Sequence, residues 1–149
     1  MRAIYFDMDG TIANLYGQND WLECLDKEYT KPYREARPLI DMRQLGKELN
    51  RLQNSGYIIG VVSWGSKFGS EEFLRRTEKA KIDWLARHIG AVVWDEIHVV
   101  EYGTPKSSVV NFPGGILFDD EERNRKEWAI GDGLAFDVKN ILEILENMI

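Results

Sequence analysis

Two aspartates near the N-terminus, Asp7 and Asp9, have the type and spacing for nucleophilic and acid–base chemistry. They follow the apolar run at residues 3–6, which is typical of a strand buried on both faces of a parallel sheet. Open α/β sheets bind ligands beyond the carboxyl ends of such strands, so both carboxylates are expected at a binding edge. Gly10 permits a sharp turn with a close backbone approach to a ligand, and Thr11 adds a hydroxyl group. An acidic turn without function is the alternative.

The run Asp7-Met8-Asp9-Gly10-Thr11 resembles motif I of the haloacid dehalogenase superfamily of phosphohydrolases. In that superfamily the first aspartate is the nucleophile and the second is the general acid/base. The resemblance implies these roles for Asp7 and Asp9. Gly10 and Thr11, which follow them directly, are predicted to contact the phosphate. Two carboxylates can share the work in this way only if their surroundings differ, because one must stay ionised and the other must hold a proton.

Composition and length favour a single soluble globular domain, since 44% of the 149 residues are apolar and 30% are charged. The net charge of −6 argues against non-specific binding of nucleic acid. No apolar run is long enough to cross a membrane, and the N-terminus does not resemble a signal peptide. We therefore expect a cytoplasmic protein with no membrane partner. Cys24 is the one cysteine, so no internal disulfide can form.

A second buried strand is predicted at residues 57–62, after a helix that runs from Pro38 to about residue 54. This strand ends in Ser63, which resembles motif II of the same superfamily. The resemblance implies that the Ser63 hydroxyl group binds a phosphoryl oxygen. Trp64 begins the loop next to the site and is predicted to contact the substrate.

The next helix is predicted to begin after an N-cap at Ser70 and to continue to Ile89. Its buried side is expected to include Ile82. Its basic residues outnumber its acids and are assigned to a solvated face, with a weak site for a polyanion as the alternative; they are Arg75, Arg76, Lys79, Lys81 and Arg87.

Lys106 lies at the start of a predicted short helix, with Thr104 as its cap, and resembles the lysine of motif III. The resemblance implies that Lys106 neutralises the nucleophile and the phosphoryl oxygens. Asp119 and Asp120 follow a short strand at residues 115–118 and resemble motif IV. Magnesium prefers hard oxygen ligands and few protein carboxylates. The expected ligands are Asp7, the backbone carbonyl of Asp9, and Asp119 or Asp120.

A second stretch, which contains Asp132 and Asp137, also resembles motif IV. We prefer Asp119 and Asp120 because a better strand precedes them and one short helix separates them from Lys106. In this interpretation Asp132 is a turn residue and Asp137 caps the last helix.

The segment at about residues 13–37 has no clean period and separates motif I from the first clear helix. Insertions at this place form a cap in the superfamily, so the resemblance implies a small cap within a single domain that spans residues 1–149. Its aromatic residues could stack on a base or could form the core of the cap itself.

Strands and helices alternate along the chain, which is typical of a doubly wound parallel α/β sheet flanked by helices. The four motifs occur in the order of the superfamily and span residues 4–120. The resemblance implies a Rossmann-like haloacid dehalogenase fold and magnesium-dependent hydrolysis, through an aspartyl-phosphate, of a nucleotide or another small phosphate monoester.

Two alternatives to this function stay open. A looser similarity to the phosphatase half of bacteriophage polynucleotide kinase-phosphatases implies a 3′-phosphatase that acts on nucleic acid ends. The other alternative is a non-catalytic relative that binds a phosphate ligand or a protein partner. The sequence leaves the oligomeric state undetermined.

Overall fold

A five-stranded parallel sheet forms the centre of the protein in the computed structural model, which describes residues 2–148. The strands and helices in chain order are β1 (Ala3–Phe6), β2 (Ala13–Asn14), α1 (Trp21–Asp26), α2 (Lys31–Glu35), β3 (Arg37–Pro38), α3 (Met42–Asn54), β4 (Ile58–Trp64), α4 (Glu71–His88), β5 (Glu96–Val100), β6 (Ile116–Phe118), α5 (Glu122–Ile130), β7 (Leu134–Phe136) and α6 (Ile141–Glu146). Short 3-10 helices occupy Leu15–Gly17, Lys106–Ser108 and Val138–Asn140.

The sheet has the strand order β5-β4-β1-β6-β7, and every pair of neighbouring strands is parallel. The chain adds β4 and β5 on one side of β1 and then returns to add β6 and β7 on the other side. The order therefore reverses between β1 and β6, which makes their carboxyl ends the topological switch point where such sheets bind ligands. The predicted Rossmann-like α/β fold is confirmed.

β1 lies in the middle of the sheet because all four of its residues are apolar and can be covered on both faces. Ile4 and Phe6 face one hydrophobic core, which the helices α3, α4 and α6 cover. Ala3 and Tyr5 face the other core, where Trp128 of α5 packs edge-on against the Tyr5 ring at 5.6 Å. This alternation places helices on both faces and leaves the strand ends open.

The helix predicted from Pro38 begins later, at Met42. Pro38 instead belongs to β3, which pairs antiparallel with β2. Asp41 provides the better start for the helix, since its carboxylate accepts hydrogen bonds from the backbone amides of Arg43 and Gln44.

The predicted start of α4 is confirmed, because the Ser70 hydroxyl group accepts a hydrogen bond from the backbone amide of Phe73. The placement of Ile82 on the buried side of this helix is wrong, because its side chain is 40% exposed.

Residues 15–36 lie between β2 and β3 and are called the insertion below. The insertion contains α1 and α2, which pack through Leu25 and Tyr33 against Phe73 and Ala80 of α4. No helix among residues 2–148 is long and apolar enough to cross a membrane.

Candidate active site

Three carboxylates meet at the switch point of the sheet. Asp7 directly follows β1, Asp119 and Asp120 directly follow β6, and one oxygen of each lies within 4.8 Å of the others. The sheet fixes the backbone here, because the amide of Asp7 donates to the Phe118 carbonyl at 2.9 Å and the amide of Asp119 donates to the Phe136 carbonyl at 3.1 Å. Three carboxylates at this spacing fit the hard oxygen ligands that Mg²⁺ prefers.

Lys106 bridges two of these carboxylates. Its Nζ donates to Asp7 Oδ1 at 2.8 Å and to Asp119 Oδ2 at 2.7 Å, and its side chain is 1% exposed. The turn that carries Lys106 is tied to α5, since the amide and the hydroxyl group of Ser107 both donate to the Glu127 carboxylate. The predicted cap at Thr104 is wrong, because the Thr104 hydroxyl group donates to the Glu101 carbonyl and the 3-10 helix begins after Pro105.

Thr11 and Gly10 fit closely around the same carboxylates. The Thr11 hydroxyl group lies 2.9 Å from Asp7 Oδ2 and 3.4 Å from Asp120 Oδ1. Gly10 has a φ of +81°, and a Cβ atom at this position would lie 2.8 Å from Cγ of Asp120. Thr11 therefore holds Asp7 in place, and Gly10 leaves room for Asp120.

Asp9 and Ser63 form a second group of polar side chains. Nζ of Lys81 donates to Asp9 Oδ2 at 2.9 Å and to Ser63 Oγ at 2.7 Å. The carboxylate of Asp9 does not belong to the cluster of three acids. Coordination of a metal by the backbone carbonyl of Asp9 stays a prediction, as does contact of Ser63 with phosphate.

The acids of the site differ in their electrostatic surroundings. Burial acts to raise the pKa of Asp7, but the charge of Lys106 and hydrogen bonds from its neighbours outweigh burial and hold that pKa below its usual range. Burial raises the pKa of Asp9, opposed by the charge of Lys81 and aided by the charge of Asp7. Asp7 is thus favoured as an ionised carboxylate, whereas Asp9 is favoured as a proton donor.

The two acids after β6 are held close to negative charge. Burial and the charge of Asp7 raise the pKa of Asp119 to about 6 and the pKa of Asp120 to about 8. A divalent cation would relieve this repulsion, so the electrostatics and the donor atoms both fit Mg²⁺.

The alternative acids lie apart from the cluster. Asp132 is a turn residue with a φ of +67°, after the end of α5. Asp137 caps the 3-10 helix before α6 and lies 3.7 Å from a guanidinium nitrogen of Arg125. Among the described residues, Asp119 and Asp120 are the acids that join Asp7.

A cavity of about 590 Å³ opens above the acids. Asp7, Asp9, Asp119, Asp120 and Lys106 line its floor, and aromatic and aliphatic side chains form much of the rest: Leu15, Tyr16, Trp21, Leu22, Leu25, Tyr33, Trp64, Phe68 and Tyr102. Many of these apolar side chains come from the insertion. Gly10, Thr11 and Ser63 are not among the residues that line this cavity: Thr11 contacts Asp7, and Ser63 accepts a hydrogen bond from Lys81.

Two residues of the site, Lys81 and Asn124, were not predicted from the sequence. Lys81 is buried on α4, so its assignment to a solvated face is wrong. Asn124 on α5 is 5% exposed, and its side-chain amide donates to Asp119 Oδ2 at 3.1 Å. A signal for each was present, since Lys81 precedes Leu85 by four residues and Asn124 precedes Trp128 by four, which places each on the same helical face as a large apolar residue.

Comparison with solved structures found similar folds. The D,D-heptose 1,7-bisphosphate phosphatase of Burkholderia thailandensis superposes with a TM-score of 0.55 and 18% identity over 89% of this chain and 75% of that chain. The D,D-heptose 1,7-bisphosphate phosphatase of B. bronchiseptica, solved with magnesium and phosphate, gives a TM-score of 0.54 and 17% identity over 91% of this chain and 78% of that one. No protein-family model and no curated protein matched the sequence. The chain has the fold of these phosphatases, which is the haloacid dehalogenase fold predicted from the four motifs.

Proposed function

We propose that the protein is a Mg²⁺-dependent phosphatase that hydrolyses small phosphate monoesters through an aspartyl-phosphate on Asp7. One observation carries the proposal. An ionised carboxylate, Asp7, lies beside Lys106 and two further carboxylates on the floor of a cavity, and a second acid with a raised pKa, Asp9, is two residues away. Nucleophile, acid and charge-neutralising groups therefore face one space.

The first half-reaction uses both aspartates. A carboxylate oxygen of Asp7 attacks phosphorus, the bond from phosphorus to the ester oxygen breaks, and Asp9 gives its proton to the departing oxygen. Lys106, which already contacts Asp7 Oδ1, attracts the phosphoryl oxygens as negative charge gathers on them. The Ser63 hydroxyl group is proposed to donate to one of these oxygens.

The second half-reaction releases phosphate. Asp9, now ionised, takes a proton from a water molecule whose oxygen attacks the phosphorus of the aspartyl-phosphate. The bond between phosphorus and the Asp7 oxygen breaks, which frees inorganic phosphate and restores Asp7. Asp7, Asp119 and Asp120 would hold Mg²⁺, which when bound supplies positive charge opposite the phosphoryl oxygens.

The cavity supports a nucleotide or another small ester with a flat apolar part as the substrate. Tyr16 and Trp21 of the insertion pack edge to face with ring centroids 5.0 Å apart, and both line the cavity. Aromatic side chains of this kind can stack on a base or pack on another flat group. In this proposal the insertion serves as a small cap that contacts the leaving group.

The test is Mg²⁺-dependent release of phosphate by the wild type and by Asp7→Asn. The panel contains nucleoside monophosphates, sugar phosphates that include a heptose 1,7-bisphosphate, and an oligonucleotide with a 3′-phosphate. Wild type is expected to release phosphate, and Asp7→Asn is expected to lose at least about 10³-fold in rate, because no other group replaces the nucleophile. Normal turnover by Asp7→Asn would refute the scheme.

A matched control is Asp132→Asn, which changes an acid of the alternative motif in a turn where asparagine is well tolerated. We expect normal turnover from this variant. Preference for the oligonucleotide, with inhibition by unphosphorylated single strands, would favour the polynucleotide 3′-phosphatase. Binding of Mg²⁺ without turnover of any compound would favour a non-catalytic phosphate-binding or protein-binding relative.

A further inference from the structure

Lys81 is a buried cation that contacts the proposed acid and the proposed phosphate ligand at the same time. It belongs to α4, its side chain is 1% exposed, and its ammonium group has three N–H donors. Three acceptors surround Nζ: Asp9 Oδ2 at 2.9 Å, Ser63 Oγ at 2.7 Å and the Trp64 carbonyl at 2.8 Å. Every donor is therefore used, and the ammonium group has one preferred orientation.

The contact with Ser63 determines which way the serine hydroxyl group can point. A serine oxygen accepts hydrogen bonds through its lone pairs and donates one hydrogen of its own. Since Lys81 donates to Ser63 Oγ, the serine hydrogen must point away from Lys81. Lys81 thus leaves the Ser63 hydrogen available to an acceptor such as a phosphoryl oxygen.

The contact of Lys81 with Asp9 involves only one of the two carboxyl oxygens. Lys81 holds Oδ2, whereas Oδ1 of Asp9 accepts no hydrogen bond from any residue that the structure describes. Asp9 also lines the cavity. The carboxyl group is thereby anchored by one oxygen, and the other oxygen is left to carry a proton to or from the substrate.

The insertion and α4 shield this arrangement from water. The Tyr33 ring lies over Lys81, with Nζ 4.7 Å from the ring centroid, and the Tyr33 hydroxyl group is 2.9 Å from Ser66 Oγ. A buried ammonium group is costly unless it is fully paired, and its interactions are strong because water does not compete. Lys81 is therefore fixed in position and can fix the orientation of Asp9 and Ser63.

We propose that Lys81 is a positioning residue of the phosphatase reaction, which orients Asp9 for proton transfer to the leaving group and Ser63 for binding of the phosphoryl group. The inference depends on the proposed function and deepens it. The competing explanation is that Lys81 forms a purely structural ion pair. The two explanations differ in how strongly the loss of activity in a Lys81 variant depends on the leaving group of the substrate.

The experiment compares kcat/KM for two esters in wild type and in Lys81→Met. The first is an alkyl phosphate, whose alkoxide must be protonated as it leaves, and the second is 4-nitrophenyl phosphate, whose phenolate leaves without a proton. General acid catalysis is worth about 10²–10⁴-fold, so we expect a loss of about 100-fold for the alkyl ester. The loss for the aryl ester is expected to be less than about tenfold, because only the orientation of Ser63 is disturbed.

The ratio of the two kcat/KM values is the decisive quantity, because a decrease in the folded fraction lowers both values equally and cancels. We expect the ratio to fall at least tenfold in Lys81→Met, to fall in the same direction in Asp9→Asn, and to recover partly in Lys81→Arg. If Lys81→Met does not fold, the same ratio is measured in Lys81→Gln. An unchanged ratio would overturn the inference.

Lys79→Met is the matched control on the same helix. Lys79 is 78% exposed and pairs only with Asp83 among the described residues, so its replacement is expected to change neither kcat/KM value. Failure of the wild type to hydrolyse either ester would refute the proposed function itself. Hydrolysis of both esters with a normal ratio in Lys81→Met would refute only the role of Lys81.

Discussion

Gly10 is constrained by its own backbone and by a neighbouring carboxylate. Its φ of +81° lies in the left-handed region, and a Cβ atom would lie 2.8 Å from Cγ of Asp120. We expect Gly10→Ala to lower the free energy of unfolding by about 1–2 kcal/mol through the backbone conformation alone. We also expect weaker binding of Mg²⁺, because the new methyl group must displace Asp120. Thermal unfolding and a calorimetric Mg²⁺ titration measure the two effects.

Gly56→Ala separates these effects. Gly56 has a φ of +98°, but a Cβ atom there would meet no atom within 4 Å. The control is therefore expected to lose stability and to keep its affinity for Mg²⁺. If Gly10→Ala bound Mg²⁺ as tightly as wild type does, Asp120 would not be a ligand that Gly10 helps to place.

The acids that form the cluster could be predicted from sequence, but their buried partners could not. Asp7, Asp119 and Asp120 each follow a short apolar strand, and parallel strands end at a common edge. Lys81 and Asn124 lie on helices, where periodicity indicates which side is buried but not which group that side meets. A lysine on such a stripe can also extend its ammonium group to solvent, so only the tertiary structure, which places Lys81 next to Ser63 and Asp9, reveals the contact with Asp9.

The insertion supplies aromatic side chains to the cavity, and Tyr16 is the one among them that best tests the expected substrate class. It lines the cavity and is 48% exposed, so its removal should disturb the core little. Stacking on a base is worth about 1–3 kcal/mol. We expect Tyr16→Ala to raise KM for a nucleoside monophosphate about tenfold and to leave KM for a small alkyl phosphate unchanged, as steady-state kinetics would measure.

Tyr29→Ala is the control for this change. Tyr29 belongs to the same insertion and is 56% exposed, but it does not line the cavity. Its replacement should alter KM for neither ester. An equal rise of KM for both esters in Tyr16→Ala would show that Tyr16 acts on the phosphate end of the substrate and would contradict stacking on a base.

Helix α4 contains a buried hydroxyl group, that of Thr77. Thr77 is 0% exposed, and its Oγ1 has no hydrogen-bond partner among the described residues. Valine has almost the same shape, so we expect Thr77→Val to raise the free energy of unfolding by about 1 kcal/mol. Denaturation with urea measures the change.

Thr77→Ser provides the opposite comparison, because it keeps the hydroxyl group and removes a buried methyl group. We expect this variant to be less stable than wild type. A loss of stability in Thr77→Val would indicate that the hydroxyl group makes a favourable interaction, for example with a buried water molecule.

Long, periodic elements were predictable and very short ones were not. The apolar stripe of α3 and the apolar run of β4 each indicate one structure over many residues. β2 and β3 contain two residues each, which is too short for a periodic pattern. Proline also fits the first turn of a helix, so the residue type of Pro38 does not distinguish a helix start from a strand. The antiparallel pairing of these strands, which joins the two ends of the insertion, is a tertiary contact that local sequence does not encode.

The topology of the whole sheet determines which charges lie close together at the site. The reversal of strand order between β1 and β6 brings Asp7 close to Asp119 and Asp120, while Lys106 is the one buried cation that touches the cluster in the described structure. One positive charge cannot neutralise three carboxylates. Burial and the charge of Asp7 therefore raise the pKa of Asp119 to about 6 and the pKa of Asp120 to about 8, above the ordinary value of an aspartate.

The pH dependence of stability follows from these raised pKa values. A carboxyl group with a pKa above its unfolded value stabilises the folded state at low pH, and that contribution is lost as the pH rises through the folded pKa. Without Mg²⁺ we therefore expect the free energy of unfolding to fall from about pH 4, where the two groups begin to lose protons in the unfolded state, to about pH 8, where Asp120 has lost its proton in the folded state as well. The lowered pKa of Asp7 acts in the opposite sense, but at more acid pH.

Mg²⁺ should reverse this trend, because it binds the deprotonated carboxylates. At a concentration of 100 times Kd it stabilises the folded state by about 2.7 kcal/mol, which corresponds to a rise in Tm of roughly 5–10 °C for a chain of this size. Thermal unfolding with and without Mg²⁺ would show a larger rise at pH 8 than at pH 6, a much smaller rise in Asp120→Asn, and a normal rise in Asp132→Asn. A rise of equal size at both pH values would place the bound cation away from Asp119 and Asp120, because a cation elsewhere would not compete with their protons.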